Sequence, residues 1–383
     1  FTWTAGGQLQ SEDGPWANDT VTRGYTQRLR TGLTLDTLNW TYGYDAAWRL
    51  QTLTSPAGTF SYGYDVAQAS SPASLVRSIT LPNLASITNH YDPLGRLDFT
   101  ALRNTWGHTL DAYAYAHDPL GLRTNVTRHL GWTTNSARAT YDPIGQLTQW
   151  NAQEADATPR LQEQFAWTYD PAGNLKHRTN NALWQTFATD ERNRLETITR
   201  TGTLTVSGNL PTPASSVTVN GQSAEHYSDF TFASPGHALI NGANTFTVIA
   251  QSAGQLGGTT NTTISDLPSP ISLAYDANGN LTNDGLRSFE YDAENQLTHV
   301  SVAGQWRSEF VYDGLGRKRI ERDLTWSGSA WLQTNETRFV YDGRLVLQER
   351  DASNQPQVTY THGLDLSGTR QGAGGIGGLL ART

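Results

Sequence analysis

Seven residues keep returning along this chain, and they limit what it can become. Tyr91-Asp92-Pro93-Leu94-Gly95-Arg96-Leu97 comes back almost letter for letter as Tyr141-Asp142-Pro143-Ile144-Gly145-Gln146-Leu147 and as Tyr169-Asp170-Pro171-Ala172-Gly173-Asn174-Leu175. Later copies run from Tyr275 and Asp276 through Gly279 to Leu281, from Tyr291 and Asp292 to Leu297, and from Tyr312 and Asp313 to Gly316. Tyr341 and Asp342 open a shortened copy that ends at Leu345. Degenerate copies stand at Tyr44-Asp45, at Tyr64-Asp65, at His117-Asp118-Pro119-Leu120-Gly121-Leu122, and from Asp190 to Leu195. A spacing of roughly twenty to thirty residues means one small structural unit repeated many times.

Each copy predicts strand, turn, strand. Aromatic and β-branched residues alternate before the turn, as in Phe310-Val311-Tyr312 and Phe339-Val340-Tyr341, which is the two-residue period of a pleated strand. Asp suits the first turn position because its carboxylate accepts a backbone N–H further on, Pro presets φ at the second, and Gly suits the fourth. The Leu that follows opens the return strand and meets the Tyr across the hairpin. An Asp repeated in every copy is turn chemistry, since an active site is singular, and a Tyr repeated at one strand position is a packing residue whose hydroxyl finds a polar partner. One hairpin alone is marginal in water, so neighbouring copies must pair edge to edge. The expected fold is therefore all-β: a curved, mostly antiparallel sheet of repeated β-hairpins.

The period breaks between residues 201 and 268. Thr203 to Val206, Val217 to Val219 before Asn220-Gly221, Tyr227 to Phe232, Asn244 to Ala250 and Thr259 to Ile264 are short alternating strands, and Asn-Gly is a strong hairpin turn. They predict a small inserted β-sandwich. The expected organisation is repeat sheet over 1–200, insertion over 201–268, repeat sheet over 269–362 and a Gly-rich tail over 363–383. The lead-in contains a degenerate hairpin, Arg23-Gly24-Tyr25 against Leu29 to Leu33, and polar loops at Ala67 to Ser74 and Glu154 to Pro159 are expected to project from the sheet edge. Trp306, Trp326 and Trp331 fall between copies and are expected to fill the inner layer of the sheet.

A formal net charge of −8 with scattered Arg gives no basic stripe for phosphates, so nucleic acid is not an expected partner. With no Cys, disulfides and thiolate metal sites are excluded. With no Met, the chain starting at Phe1 reads as an excerpt of a longer protein, and no apolar run is long enough to span a bilayer. Gly372-Ala373-Gly374-Gly375-Ile376-Gly377 matches a dinucleotide fingerprint in letters but lacks the helix that would receive a pyrophosphate. His362, Asp365 and Ser367 lack a nucleophile elbow and read as solvated loop residues. Asp276, Asn278 and Asn280 begin like a calcium loop, but Arg287 stands where its Glu belongs. No catalytic residue, cofactor or metal site is expected.

The copies resemble the YD repeats of bacterial RHS proteins and their relatives among toxin-complex and teneurin proteins. The tail, Gly363 to Gly368 followed by Gln371 to Leu380, resembles the segment before the RHS-associated core. That resemblance implies a sheet spiralling into a hollow shell, commonly around a C-terminal toxin, and a protein secreted or displayed at a bacterial surface. The remaining RHS core and the enclosed toxin would be its partners. Some such proteins cut themselves near an Asp-Pro-x-Gly-Leu string. Asp118 to Leu122 has that string, but it sits mid-array without the partner Asp motif, so no catalytic role is carried over. The Val-Asn-Gly…Gly-x-Asn-Thr-Phe-Thr-Val pattern of the insertion resembles bacterial immunoglobulin-like modules. The expected function is a structural, non-enzymatic wall that encloses or presents another polypeptide. The alternative is an extracellular adhesin binding glycan through exposed aromatics on Tyr227 to Phe232 or near Trp184. A hydrolase would need two carboxylates converging in a cleft, which nothing in the sequence suggests.

Overall fold

The computed structural model describes residues 1–64, 74–252 and 258–383; Asp65 and most of the Ala67 to Ser74 loop lie outside them. Among the described residues the chain forms 36 strands and no helix. Contacts divide it into two compact units. One comprises Phe1–Arg96, Leu102–His108 and Leu286–Thr383; the other comprises Leu97–Ala101 and Thr109–Gly285. These boundaries do not coincide with the breaks in sequence period at 200 and 268.

In the first unit, successive strands pair antiparallel from Thr2–Trp3 to Ser86–Tyr91, with Tyr42 opposite Leu53, Leu53 opposite Phe60 and Tyr62 opposite Ile79. Alternation decides which face is buried. In Leu38–Tyr44, Trp40 and Tyr42 turn inward while Asn39 and Thr41 face solvent. Leu33, Leu35, Trp40, Leu53 and Phe60 join Val340 and Leu347 of the later strands Trp331–Asp342 and Leu345–Arg350 in one hydrophobic core. Each fully buried Leu or Phe there is worth roughly 1.5–3 kcal/mol. The later strands form a second antiparallel run from Ser288–Tyr291 to Leu379–Arg382. The Gly-rich tail folds back, setting Tyr360 opposite Arg382.

Trp306, Trp326 and Trp331 do not fill an inner layer. Trp306 is exposed, and Trp326 and Trp331 pack edge to face with ring centroids 5.1 Å apart. They bracket the turn that joins their two strands, Trp326 opposite Trp331, so they cover each other at the hairpin end.

In the second unit, strands pair in sequence order from Thr109–His117 to Leu195–Thr201, and Ile271–Ser272 then pairs with Leu195–Thr201. Between them the insertion forms two sheets. One holds Thr203–Asn209, Thr231–Ala238 and Glu225–His226; the other holds Gln222–Ser223, Ser216–Val219, Ala243–Gln251 and Thr259–Asp266. Val217, Val219, Phe232 and Phe246 are the buried centre between them. Asn220 and Gly221 take left-handed φ values of 50° and 79°, which the two-residue turn at Val219–Gln222 requires. The Glu154 to Pro159 loop does not simply project. Glu154 accepts a hydrogen bond from Ser228, and the buried Arg160 beside the loop pairs with Glu154, Glu163 and Asp229. The Leu161 N–H also donates to the Tyr227 hydroxyl at 2.8 Å, so the insertion is fixed to its neighbouring strands.

Candidate functional site

The repeated corner is the arrangement this chain uses most. In Asp92 to Arg96, Gly95 N–H donates to the Asp92 carbonyl and Asp92 N–H donates to the Arg96 carbonyl, both at 2.9 Å. Gly95 has φ 78°, so the corner is a tight turn closed by a left-handed residue. The Asp92 carboxylate works inside it. One oxygen accepts the N–H of Leu94 and of Arg96 at 2.9 Å, and the other accepts Nε of Arg96 at 2.6 Å. Asp142 does the same with Ile144 and Gln146, Asp170 with Ala172 and Asn174, Asp276 with Asn278 and Asn280, and Asp313 with Leu315 and Arg317. Asp292 takes the N–H of Glu294 and Gln296.

These bonds favour the ionised form. Asp92 lies below the usual carboxylate range chiefly because the Arg96 backbone N–H donates to it, and Asp170 chiefly because the Asn174 side-chain amide does. In each of these corners the carboxylate oxygens are occupied by donors of their own turn. Gly145, Gly173, Gly279 and Gly316 occupy the left-handed position at φ 87°, 85°, 90° and 71°. The residue before that glycine points outward: Leu94, Leu120, Ile144 and Leu315 are all exposed.

Several corners carry no Tyr-Asp letters. Asn104 accepts the N–H of Trp106 and His108, Asp351 those of Ser353 and Gln355, and the Thr4 hydroxyl that of Gln8. Asp365 opens another, with Gly368 N–H donating to its carbonyl. It is buried rather than solvated. Its carboxylate takes the N–H of Ser367, Ala373 and Gly375 and the Ser367 hydroxyl, which hold it down to about 2 against the opposing effect of burial. The backbone donors a phosphate would need in Gly372 to Gly377 are thus partly taken. His362 bonds the Val346 carbonyl through Nε2 and is no partner for Ser367.

Asp342 departs from the pattern. Its shortened copy places Asp342 opposite Leu345, and its carboxylate meets Arg23 at 3.0 Å, Arg30 at 2.7 Å and Arg370 at 3.1 Å instead of capping a turn. Burial opposes its charge, but Arg30, Arg370 and Arg23 lower its pKa to about 2.

The motif Tyr joins one copy to the previous one. Tyr141 and Tyr169 stand opposite Leu147 and Leu175 across their own hairpins, as Tyr275 and Tyr291 stand opposite Leu281 and Leu297. The hydroxyls of most copies reach further back. Tyr169 donates to the carbonyl of Leu147, the residue that faces Tyr141, at 2.8 Å. Tyr312 donates to Leu297, Tyr341 to Lys318, Tyr64 to Leu50, Tyr91 to Val76 and Tyr141 to Arg123 in the same way. Tyr275 donates to Leu195 at 2.7 Å, so this clip runs past the whole insertion.

No family model matches the chain. Over 96 residues it is 36% identical to the tRNA3(Ser)-specific nuclease WapA of Bacillus spizizenii and to the tRNA nuclease WapA of Bacillus subtilis strain 168; the match takes in 24% of this chain and 4% of each relative. Among solved structures, it is similar to a chain of the Photorhabdus luminescens Tc holotoxin pore, with 11% identity, a TM-score of 0.41 and coverage of 93% of this chain and 22% of the other. Similarity to the TcdB2–TccC3 structure has 13% identity and a TM-score of 0.35, covering 95% and 17%. The chain therefore spans a small part of the length of each.

The aromatic residues expected to present a glycan surface are divided. Tyr227 and Phe232 are buried, whereas Phe230 is exposed. Trp184 is exposed as well, with its ring centroid 4.8 Å from that of His177.

Proposed function

We propose that this chain is a wall segment of an RHS-type YD-repeat protein, architectural rather than enzymatic, that encloses or presents another polypeptide such as a C-terminal toxin or effector. The observation that carries the reading is the Tyr-to-carbonyl clip, which ties the hairpins of Tyr64, Tyr91, Tyr141, Tyr169, Tyr312 and Tyr341 to strands before them and continues from Tyr275 to Leu195 past the insertion. A wall needs this property: no copy stands alone, and an added domain leaves the pairing in place. The local identity to the much longer WapA nucleases supports a place in a longer polypeptide. In this reading the protein acts outside the cell or at its surface, and the insertion is an immunoglobulin-like spacer carried on the wall.

Protease protection tests the proposal. With the chain expressed from its complete reading frame, an enclosed polypeptide is cut at least tenfold more slowly than the same polypeptide expressed alone. Equal cutting rates overturn the reading.

A further inference from the structure

The sandwich in the insertion is closed on one side and open on the other. At the closed side, Gln222–Ser223 and Glu225–His226 follow one another and carry the chain between the sheets. At the open side stand Thr203–Asn209, which pairs with Thr231–Ala238 alone, and Thr259–Asp266, which pairs with Ala243–Gln251 alone, among the described residues. A cleft of about 560 Å³ lies between these two edge strands. Leu204, Val206, Val248 and Ala250 line it and are half-buried although they face the space between two sheets. Phe232 and Phe246 close its floor.

The rim of the cleft defines the occupant. Thr259–Asp266 is eight residues of exposed edge with no Pro, Lys or Arg, the residues that ordinarily protect an edge from pairing. Its inward residues Asn261, Thr263 and Ser265 line the cleft but bring no bulk to fill it. An apolar volume beside a row of unused backbone donors and acceptors is complementary to an extended strand, which satisfies both at once. A second copy pairing through this same strand would satisfy the edge but leave the apolar volume unfilled.

We propose that the cleft is a β-augmentation site for an extended peptide segment with apolar residues at alternate positions, which adds a strand beside Thr259–Asp266 and seats those residues against Leu204, Val206 and Val248. Asp266 favours a basic residue at its end of the segment. This inference is independent of the wall reading.

The test uses the whole chain and a fluorescein-labelled peptide with the sequence Thr-Val-Thr-Val-Thr-Val-Lys, whose Lys falls on the face opposite the three Val residues, as Asp266 falls opposite Asn261, Thr263 and Ser265. Anisotropy should show saturable binding at least tenfold tighter than to a peptide of the same composition with its three Val residues consecutive. Hydrogen exchange at residues 259–266 should slow when the peptide binds. Thr263→Phe, which fills the cleft from an exposed position, should weaken binding at least tenfold. Ile264→Thr, on the outward face, should change it less than twofold. Equal binding of both peptides, unchanged binding by Thr263→Phe, or no saturation at millimolar peptide overturns the proposal. Dimerisation of the chain without peptide binding, or tight binding of octanoate in place of the peptide, overturns it as well.

Discussion

A corner must supply an acceptor for two backbone N–H groups and a residue that tolerates a left-handed backbone, and each requirement can be tested alone. Gly145 has room around it, since an added Cβ would meet Leu122 at 3.6 Å, so the cost of substitution comes from its φ of 87°. Gly145→Val should destabilise by about 1–3 kcal/mol. Gly145→Asn should cost less, because Asn193, Asn295 and Asn354 hold the same place in other corners at φ 59°, 61° and 63°. Equal urea midpoints for the two variants would contradict this ranking. Asp142→Ala should cost about 1 kcal/mol by removing the acceptor for Ile144 and Gln146, in the manner of a lost cap, whereas Asp142→Asn should cost little, as Asn104 already does this work. The same requirement explains what was legible. Asp-Pro-x-Gly announces itself, but the turn needs an oxygen two and four residues before its donors rather than a particular letter. Asn104, Asp351 and the Thr4 hydroxyl therefore escape a search for Tyr-Asp.

Between hairpins the hydroxyl clip carries the register. Tyr169→Phe removes one hydrogen bond to the Leu147 carbonyl and keeps the ring, so a loss of about 0.5–1.5 kcal/mol is expected, with faster amide exchange in Leu147–Glu154 and Pro159–Tyr169. Exchange that speeds uniformly through both compact units would mean the clip is not local. The hairpins and the interruption after Thr201 were readable because period two and the Tyr spacing are local signals. The clip was not. It links residues 14 to 80 apart, and sequence shows that Tyr recurs without showing what its oxygen reaches. Trp placement failed for a related reason: a bulky residue between copies packs inward only where another strand covers it. Trp326 and Trp331 stand at a hairpin end and cover each other.

Across the first unit the decisive contacts are ionic and far apart in sequence. Asp342 carries the motif letters, yet its partners Arg30 and Arg23 lie 312 and 319 residues away, so no local pattern could assign its role. Arg23 also pairs with Glu12, which pairs with Arg317, so a buried chain of charges joins the first strands to the last. Its pH dependence has a definite sign. The folded Asp342 has a pKa of about 2 against an ordinary value of 3.8, so its contribution is fully present above about pH 4 and is lost as pH falls through about 2. The size is about 2 kcal/mol for this carboxylate. Asp342→Asn removes that dependence but leaves the buried Arg23 and the half-buried Arg30 and Arg370 without the carboxylate they share, a loss of roughly 3–5 kcal/mol at neutral pH. Urea unfolding of both proteins followed by Trp fluorescence should thus give a wide stability gap at pH 7 that narrows toward pH 2, as protonation makes the unaltered protein resemble its variant. A gap that stays constant over that range would mean that the three guanidinium groups draw their stability from other partners, and that Asp342 is not the charge on which the two ends of the unit close.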